Sequence, residues 1–413
     1  MIKKPKIDPM MGLIMVCLFC ANMNIFNGFY YFIFTAFFAQ MLYSRNIVFN
    51  RSVIWLAVYG LALAIFGNTF RGTLVSIIKP FTFVLAYILG YMVIYKNRRK
   101  EKEAATTFVT LMLILAGGAL GHYILNWVAN MDTATRREVI DFWTKEVLAA
   151  TNQAAMATLA LAIAIGVMFS TNVNLRNKVL AFAVLAMVLA YNLTLSGRTL
   201  ILMALIVMAV AVIYNAVCNK KSRRKLLWGV GLLVAVVILA YLRDWFGLRG
   251  MIDESLLVDR FTGNYGISLW DDTRIARKIE YLKHLPYYPF GGGKLYGLYG
   301  FAHDLFLDSY DEAGWFAIFS VAAYWVLTVG RLARLLRSRQ TPFAVRQIVF
   351  CIYIAVFIEF WVEPVLHASP WLLASFCAID GGVSAILCSN AENSQSSIER
   401  HSLSCKTSNV RRS

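Results

Sequence analysis

The stretch GFAHDLFLDSYDEAGW, residues 300–315, gathers one imidazole and four carboxylates: His303, Asp304, Asp308, Asp311 and Glu312. An imidazole with an intrinsic pKa near ~6.5 can take a proton from a hydroxyl at neutral pH. Neighbouring carboxylates can orient the ring, accept from ligand hydroxyls or cap a helix, and Asp304 is placed for any of the three. Basic residues precede the stretch. From Asp271 to Leu285 the sequence DDTRIARKIEYLKHL reads as a helix, opened by Asp271 or Asp272 and closed by Pro286. On it Arg274, Arg277, Lys278 and Tyr281 follow i, i+3, i+4, i+7 spacing and share a face, with Ile275, Ile279 and Leu282 opposite. Such a helix suits a membrane interface, its basic face turned to a ligand or to solvent. Arg198 sits in an SGR turn between Ser196 and Thr199, where a planar guanidinium suits a phosphate and equally a lipid headgroup. Gly291, Gly292 and Gly293 permit a tight turn or a nest of amides for an anion. They do not make a Walker A loop, because Tyr288 and Leu295 stand where it needs glycine and a hydroxyl residue.

The elements that position these residues are membrane helices. The chain of 413 residues is 59% hydrophobic and carries twelve uncharged or nearly uncharged runs, at about 10–26, 28–43, 53–70, 73–95, 104–128, 151–170, 178–196, 198–217, 226–243, 304–330, 344–363 and 368–388. Runs of ~17–25 residues cross a hydrocarbon core of ~30 Å, and only helices or closed barrels satisfy their backbones there. Without period-two alternation, the fold class is an all-α polytopic membrane protein of about twelve transmembrane helices. Residues 1–388 form one transmembrane domain, in which the loop 244–303 contains the amphipathic helix; residues 389–413, polar and serine-rich, read as a disordered tail.

Charge orients the helices. Lysine and arginine concentrate in alternate connections, which hold 26 of the 40, so those connections and both termini are expected in the cytoplasm. This makes the formal charge of +17 a topology signal and not a nucleic-acid footprint. The basic start reads as an uncleaved anchor. None of the seven cysteines falls in an outer loop, so no disulfide framework is expected. Eight of the fourteen remaining basic residues belong to Arg243 and the loop after it, on the face where topology disfavours them, and Arg71 and Lys79 join them. Such a collection points to an anionic ligand at the outer face.

The order of features resembles the O-antigen ligase and O-antigen polymerase superfamily of bacterial integral membrane glycosyltransferases. Arg198, Arg274, YPFGGG at 288–293, His303 and DEAGW at 311–315 carry the resemblance, over roughly 150–330. Asp304 stands where the family more often has asparagine, and Trp315, Phe316 and Ala317 replace a second glycine. The resemblance implies transfer of a glycan from an undecaprenyl-diphosphate carrier to a hydroxyl acceptor, at the outer face of the bacterial cytoplasmic membrane. The acceptor is another lipid-linked oligosaccharide in a polymerase, the reading preferred here, or a lipid A core or similar glycolipid in a ligase. No metal ion, nucleotide sugar or other cofactor is implied. Arg198 and Arg274 would hold the departing diphosphate and His303 would take the acceptor proton, while Arg277, Lys278 and Asp304 would add substrate contacts. Partners are the donor, the acceptor and the bilayer, with a flippase or chain-length regulator as companions. A twelve-helix lipid-linked glycan transporter is the rival class; it would place ionisable residues near mid-span and repeat its halves.

Overall fold

The computed structural model describes residues 9–25, 36–37, 49–67, 78–96, 101–131, 138–171, 173–195, 197–219, 231, 235, 238–245, 249–250 and 273–410. Over these residues the protein is an α-helical membrane bundle. Helices α1 (Pro9–Asn22), α2 (Arg51–Phe66) and α3 (Thr82–Tyr95) are followed by α4 (Glu101–Ala129), α5 (Ala150–Met168), α6 (Leu175–Thr194) and α7 (Arg198–Cys218). After the amphipathic α8 (Thr273–His284) and the short α9 (Lys294–Tyr299) come α10 (Leu305–Arg337), α11 (Phe343–Val362), the single turn α12 (Val365–Ala368) and α13 (Pro370–Val410).

Seven of these, α4 to α7, α10, α11 and the Pro370–Glu392 part of α13, are long and apolar enough to cross a bilayer. Ten of the twelve expected runs coincide with described helices, while 28–43 and 226–243 fall mostly outside the described residues. At 14 residues α1 spans only ~21 Å, short of a full crossing by itself. The expected helix openers Asp271 and Asp272, the cation Arg71 and most of the loop before Thr273 also lie outside the described residues.

The bundle core is built on small residues. Alanine-rich α5 is buried along nearly its whole length. The crossing of α3 and α13 places Gly90 against the Ala378 carbonyl and Gly381 against the Tyr87 carbonyl, where any β-carbon would collide. In lipid, where tails are as apolar as leucine, such close backbone approach is what holds helices together.

Four local features go beyond the sequence expectations. Residues 138–149 form an antiparallel hairpin of β1 (Glu138–Ile140) and β2 (Val147–Ala149), an exception to the all-α class. The end of α4 clips it: Asn130 exchanges hydrogen bonds with Ile140, and Asn126 accepts from the Phe142 amide. In its turn Asp141 lies 2.7 Å from His122. Burial pushes the Asp141 carboxyl up, but hydrogen bonds from His122 and the Thr144 and Trp143 amides outweigh it and hold it well below the usual carboxylate range. Lys79, within the expected run 73–95, opens the 3-10 turn Lys79–Phe81 ahead of α3, with Pro80 at its start. Arg331, one residue beyond the expected run 304–330, is buried inside the bundle on Asp380, since α10 continues to Arg337. Finally, α13 runs to Val410 past the boundary at 389, and residues 389–410 contain neither glycine nor proline to stop it.

Candidate functional site

The framework of the site is a break in α10. Ala313 and Gly314 leave helical geometry, Gly314 with φ +63, and so free the carbonyls of the preceding turn. The YPFGGG segment fills the gap. The Gly292 amide donates to the Glu312 carbonyl at 3.0 Å and the Gly293 amide to the Asp311 carbonyl at 2.8 Å. In return the Trp315 amide donates to the Pro289 carbonyl at 3.0 Å. Gly291, Gly292 and Gly293 all have positive φ, and a β-carbon on Gly291 would lie 2.6 Å from the Asp311 carbonyl oxygen. The Gly291 amide donates to the Tyr288 carbonyl, so all three amides are used within the protein. The glycine run is therefore a plug in a broken helix, not a phosphate nest.

Most of the carboxylates in the opening stretch serve this framework too. Asp311 accepts from the Leu295 and Tyr296 amides and fastens α9. Asp308 accepts from the Ala302 and Asp304 amides. Asp304 caps α10 through the Phe306 and Leu307 amides with one oxygen, and its other oxygen meets Lys278 Nζ at 3.2 Å. Between these anchors His303 is held at φ +57, a left-handed conformation that costs a non-glycine residue ~1–3 kcal/mol. Strain of this kind persists only where the surroundings impose it, here through Asp308, which holds the Ala302 and Asp304 amides on either side.

Helix α8 lies with its polar face inward. Tyr281 is fully buried and donates to the Gly300 carbonyl at 2.7 Å. Ile275, Ile279 and Leu282 are about half exposed, and this apolar stripe fits lipid, as the spacing predicts. Arg274 Nη1 donates to the Val362 carbonyl at 3.0 Å and meets Glu363 Oε1 at 3.2 Å. Lys278 reaches the Trp361 carbonyl as well as Asp304. Arg198, the first residue of α7, joins Arg274 and Lys278 around a cavity of about 320 Å³ whose remaining wall is mostly apolar, including Ala154, Leu202, Ile206, Ile275 and Ile358. Arg277 is not in that wall; its guanidinium lies against Gly300.

Glu363 links the cavity to the histidine. Its Oε1 accepts from Thr199 at 2.8 Å as well as facing Arg274, and its Oε2 lies 3.8 Å from His303 Nδ1. Both of these last atoms are buried without a hydrogen-bond partner. One turn earlier, buried Glu359 accepts from Thr158 at 2.9 Å and leaves its other oxygen similarly unpaired.

The chain matches no protein-family model and no curated protein. The structure brings Arg198, Arg274, Lys278, Asp304 and His303 together, and sets Arg277 apart. Glu363, not Asp304, is the carboxylate that faces His303, because Asp304 is committed to Lys278 and the helix amides. His367, four residues after Glu363, lies not on that carboxylate but 3.6 Å from Glu312. Burial and the nearby Lys79 charge push the His367 imidazole below its usual range, against the pull of Glu312. The hub position of Glu363 left one sequence signal: Glu359 and Glu363 are two carboxylates four residues apart at the end of an apolar span. Among the described residues no group of three His, Cys, Asp or Glu is gathered to hold a metal ion.

Proposed function

We propose that this protein is a membrane glycosyltransferase of the O-antigen polymerase and ligase type. In this reading it transfers glycan units from an undecaprenyl-diphosphate carrier at the outer face of a bacterial cytoplasmic membrane, and polymerisation is its reaction. The topology proposed with it is twelve spans, both termini cytoplasmic and the 244–303 loop outside. What supports it most is the cavity that Arg198, Arg274 and Lys278 share, cationic at its rim and otherwise apolar, joined to His303 through Glu363. A lipid diphosphate asks for that combination: fixed cations for the phosphates and an apolar wall for the first isoprene units.

The chemistry follows from the atoms. The acceptor hydroxyl oxygen attacks the anomeric carbon of the donor sugar, and the bond from that carbon to the diphosphate oxygen breaks, its electron pair leaving with the diphosphate. Arg198 and Arg274 hold the charge that grows there. Glu363 favours the His303 proton on Nδ1 and so leaves Nε2 to receive the acceptor proton. Their 3.8 Å separation is longer than a hydrogen bond, as such contacts often are before substrate closes the site.

The test uses purified full-length protein with lipid-linked oligosaccharide as donor and acceptor, with chelator present. Arg198→Lys and Arg274→Lys keep charge but lose the fork, and each should cut transfer roughly ten- to a hundredfold, the worth of a charge-assisted hydrogen bond at ~1.5–3 kcal/mol. His303→Ala should abolish product while donor binding persists. Normal turnover by that variant removes the reading. Product formed only when a lipid A core is the acceptor would make the enzyme a ligase. For the topology, Tyr265→Cys and Leu298→Cys should react with an impermeant thiol reagent in intact cells or spheroplasts and Ser222→Cys should not, in a background without native cysteines; the opposite pattern reverses the orientation.

A further inference from the structure

A second cluster adjoins His303 and takes no part in the proton and phosphate chemistry above. Phe301 packs against His367 with ring centroids 4.9 Å apart, and Tyr296 stacks on the same imidazole at 6.4 Å with an interplanar angle of 19°. The Tyr296 and Phe301 rings are themselves 4.5 Å apart, and Tyr296 keeps 47% of its surface exposed. Beside the rings, His367 Nδ1 lies 3.6 Å from Glu312 Oε1, and the charges of Lys79 and Glu312 act on each other and on the imidazole. Three rings, a carboxylate and an ammonium thus converge from the turn before α3, from α9, from the segment ahead of α10, from α10 and from α12.

That set suits one kind of ligand better than others. A pyranose ring has an apolar C–H face and a rim of hydroxyls; an aromatic platform takes the first, and a carboxylate and an ammonium beside it take the second. A purely apolar ligand would strip water from the half-buried Lys79 without returning hydrogen bonds. A strongly anionic ligand would face the Glu312 charge.

Position narrows the choice further. Phe301 is two residues from His303, and His367 is four residues from Glu363. His303 is therefore linked through Glu363 to the cation-lined cavity and through Phe301 to the aromatic platform. We infer that the Tyr296–Phe301–His367 platform, with Glu312 and Lys79, is the acceptor subsite, binding the sugar ring whose hydroxyl is presented to His303. This rests on the transferase reading, with the donor diphosphate in the cavity of Arg198 and Arg274.

The experiment separates the two claims. Full-length protein in nanodiscs is assayed for transfer over a range of acceptor concentrations. In parallel, binding of a panel of carrier-free neutral and acidic tri- and tetrasaccharides is followed by saturation-transfer NMR. Tyr296→Ala removes a half-exposed ring with little threat to folding, and it should raise the acceptor KM tenfold or more and leave the donor KM unchanged. Phe301→Ala should do the same, and Phe301→Trp, which restores a ring, should recover most of the loss. Saccharide signals should be lost in both alanine variants and kept in Arg274→Lys. If wild type transfers glycan and both alanine variants keep its acceptor KM, the subsite is wrong and the transferase reading stands. Wild type that binds saccharide through these rings but transfers none leaves the platform as a sugar site and removes the transferase. With neither binding nor transfer in wild type, both fall.

Discussion

Two buried charge clusters in this bundle differ in one respect that separates structure from candidate function. Inside the helices, Asp380 and Arg331 are completely partnered. One Asp380 oxygen accepts from Arg331 Nε at 2.9 Å and Tyr353 at 2.7 Å, and the other from Tyr324 at 2.8 Å, Thr328 at 3.1 Å and Arg331 Nη2. The guanidinium also reaches Ser52 and lies over the Tyr87 and Tyr324 rings. At Glu363 the same kinds of group leave two buried atoms unsatisfied and facing each other, Glu363 Oε2 and His303 Nδ1, beside a residue in a strained conformation. Buried polar groups are ordinarily paired, and an orphan costs ~1–3 kcal/mol. The Asp380 cluster spends its hydrogen bonds fully and fastens helices; the Glu363 cluster keeps two buried polar atoms open beside the cavity lined by Arg198, Arg274 and Lys278.

The largest effect is expected at Asp380. Asp380→Ala leaves the Arg331 charge buried without its partner and should destabilise the protein by ~3–5 kcal/mol, seen as early thermal unfolding in detergent. The double change Arg331→Met with Asp380→Leu should recover most of that loss and retain transfer. A double variant that is stable but inactive would move Asp380 into the working site.

At the other cluster, Glu363→Gln preserves shape and removes the charge between Arg274 and His303. Transfer should fall roughly ten- to a hundredfold, equivalent to ~1.5–3 kcal/mol, with the melting temperature nearly unchanged. A fall in melting temperature as large as that of Asp380→Ala would make Glu363 another fastening. His303→Gly sharpens the same point. It relieves a left-handed residue at ~1–3 kcal/mol against an entropic cost of ~0.5–1 kcal/mol, so the variant should melt no lower than wild type while losing activity. Clear destabilisation with activity retained would count against a working His303.

The smallest effect should come from His367, through pH. Its folded pKa lies below the unfolded value of ~6.5, so the unfolded chain binds the extra proton as pH falls. Stability from keeping this ring neutral is complete above the unfolded value and is lost as pH drops from ~6.5 toward the lowered folded value. His367→Gln should flatten the melting temperature between those limits. An unchanged slope would assign the pH dependence to other groups.

What could be read along the chain were properties carried by neighbours in sequence. Hydrophobic runs mark membrane helices because a backbone in lipid must satisfy itself within each segment. The spacing of Arg274, Lys278 and Tyr281 marks one helix face, and α8 turns that face inward. Asp304 is legible as a cap because capping is local. The glycine run was ambiguous, since positive φ serves a plug and a nest equally. Only the gap it fills at Gly314 decides between them.

An α-helical membrane protein with basic and acidic residues around 198, 274 and 303 thus follows from the order of residues alone. Tertiary structure alone decided their pairing: Glu363 with His303, Glu312 with His367, and Arg331 inside the bundle with Asp380. The reason is distance along the chain. Helix formation depends on residues within a turn or two, whereas a carboxylate 60 positions away meets a histidine only after the break in α10, the glycine plug and the turn after α11 have fixed where each backbone runs.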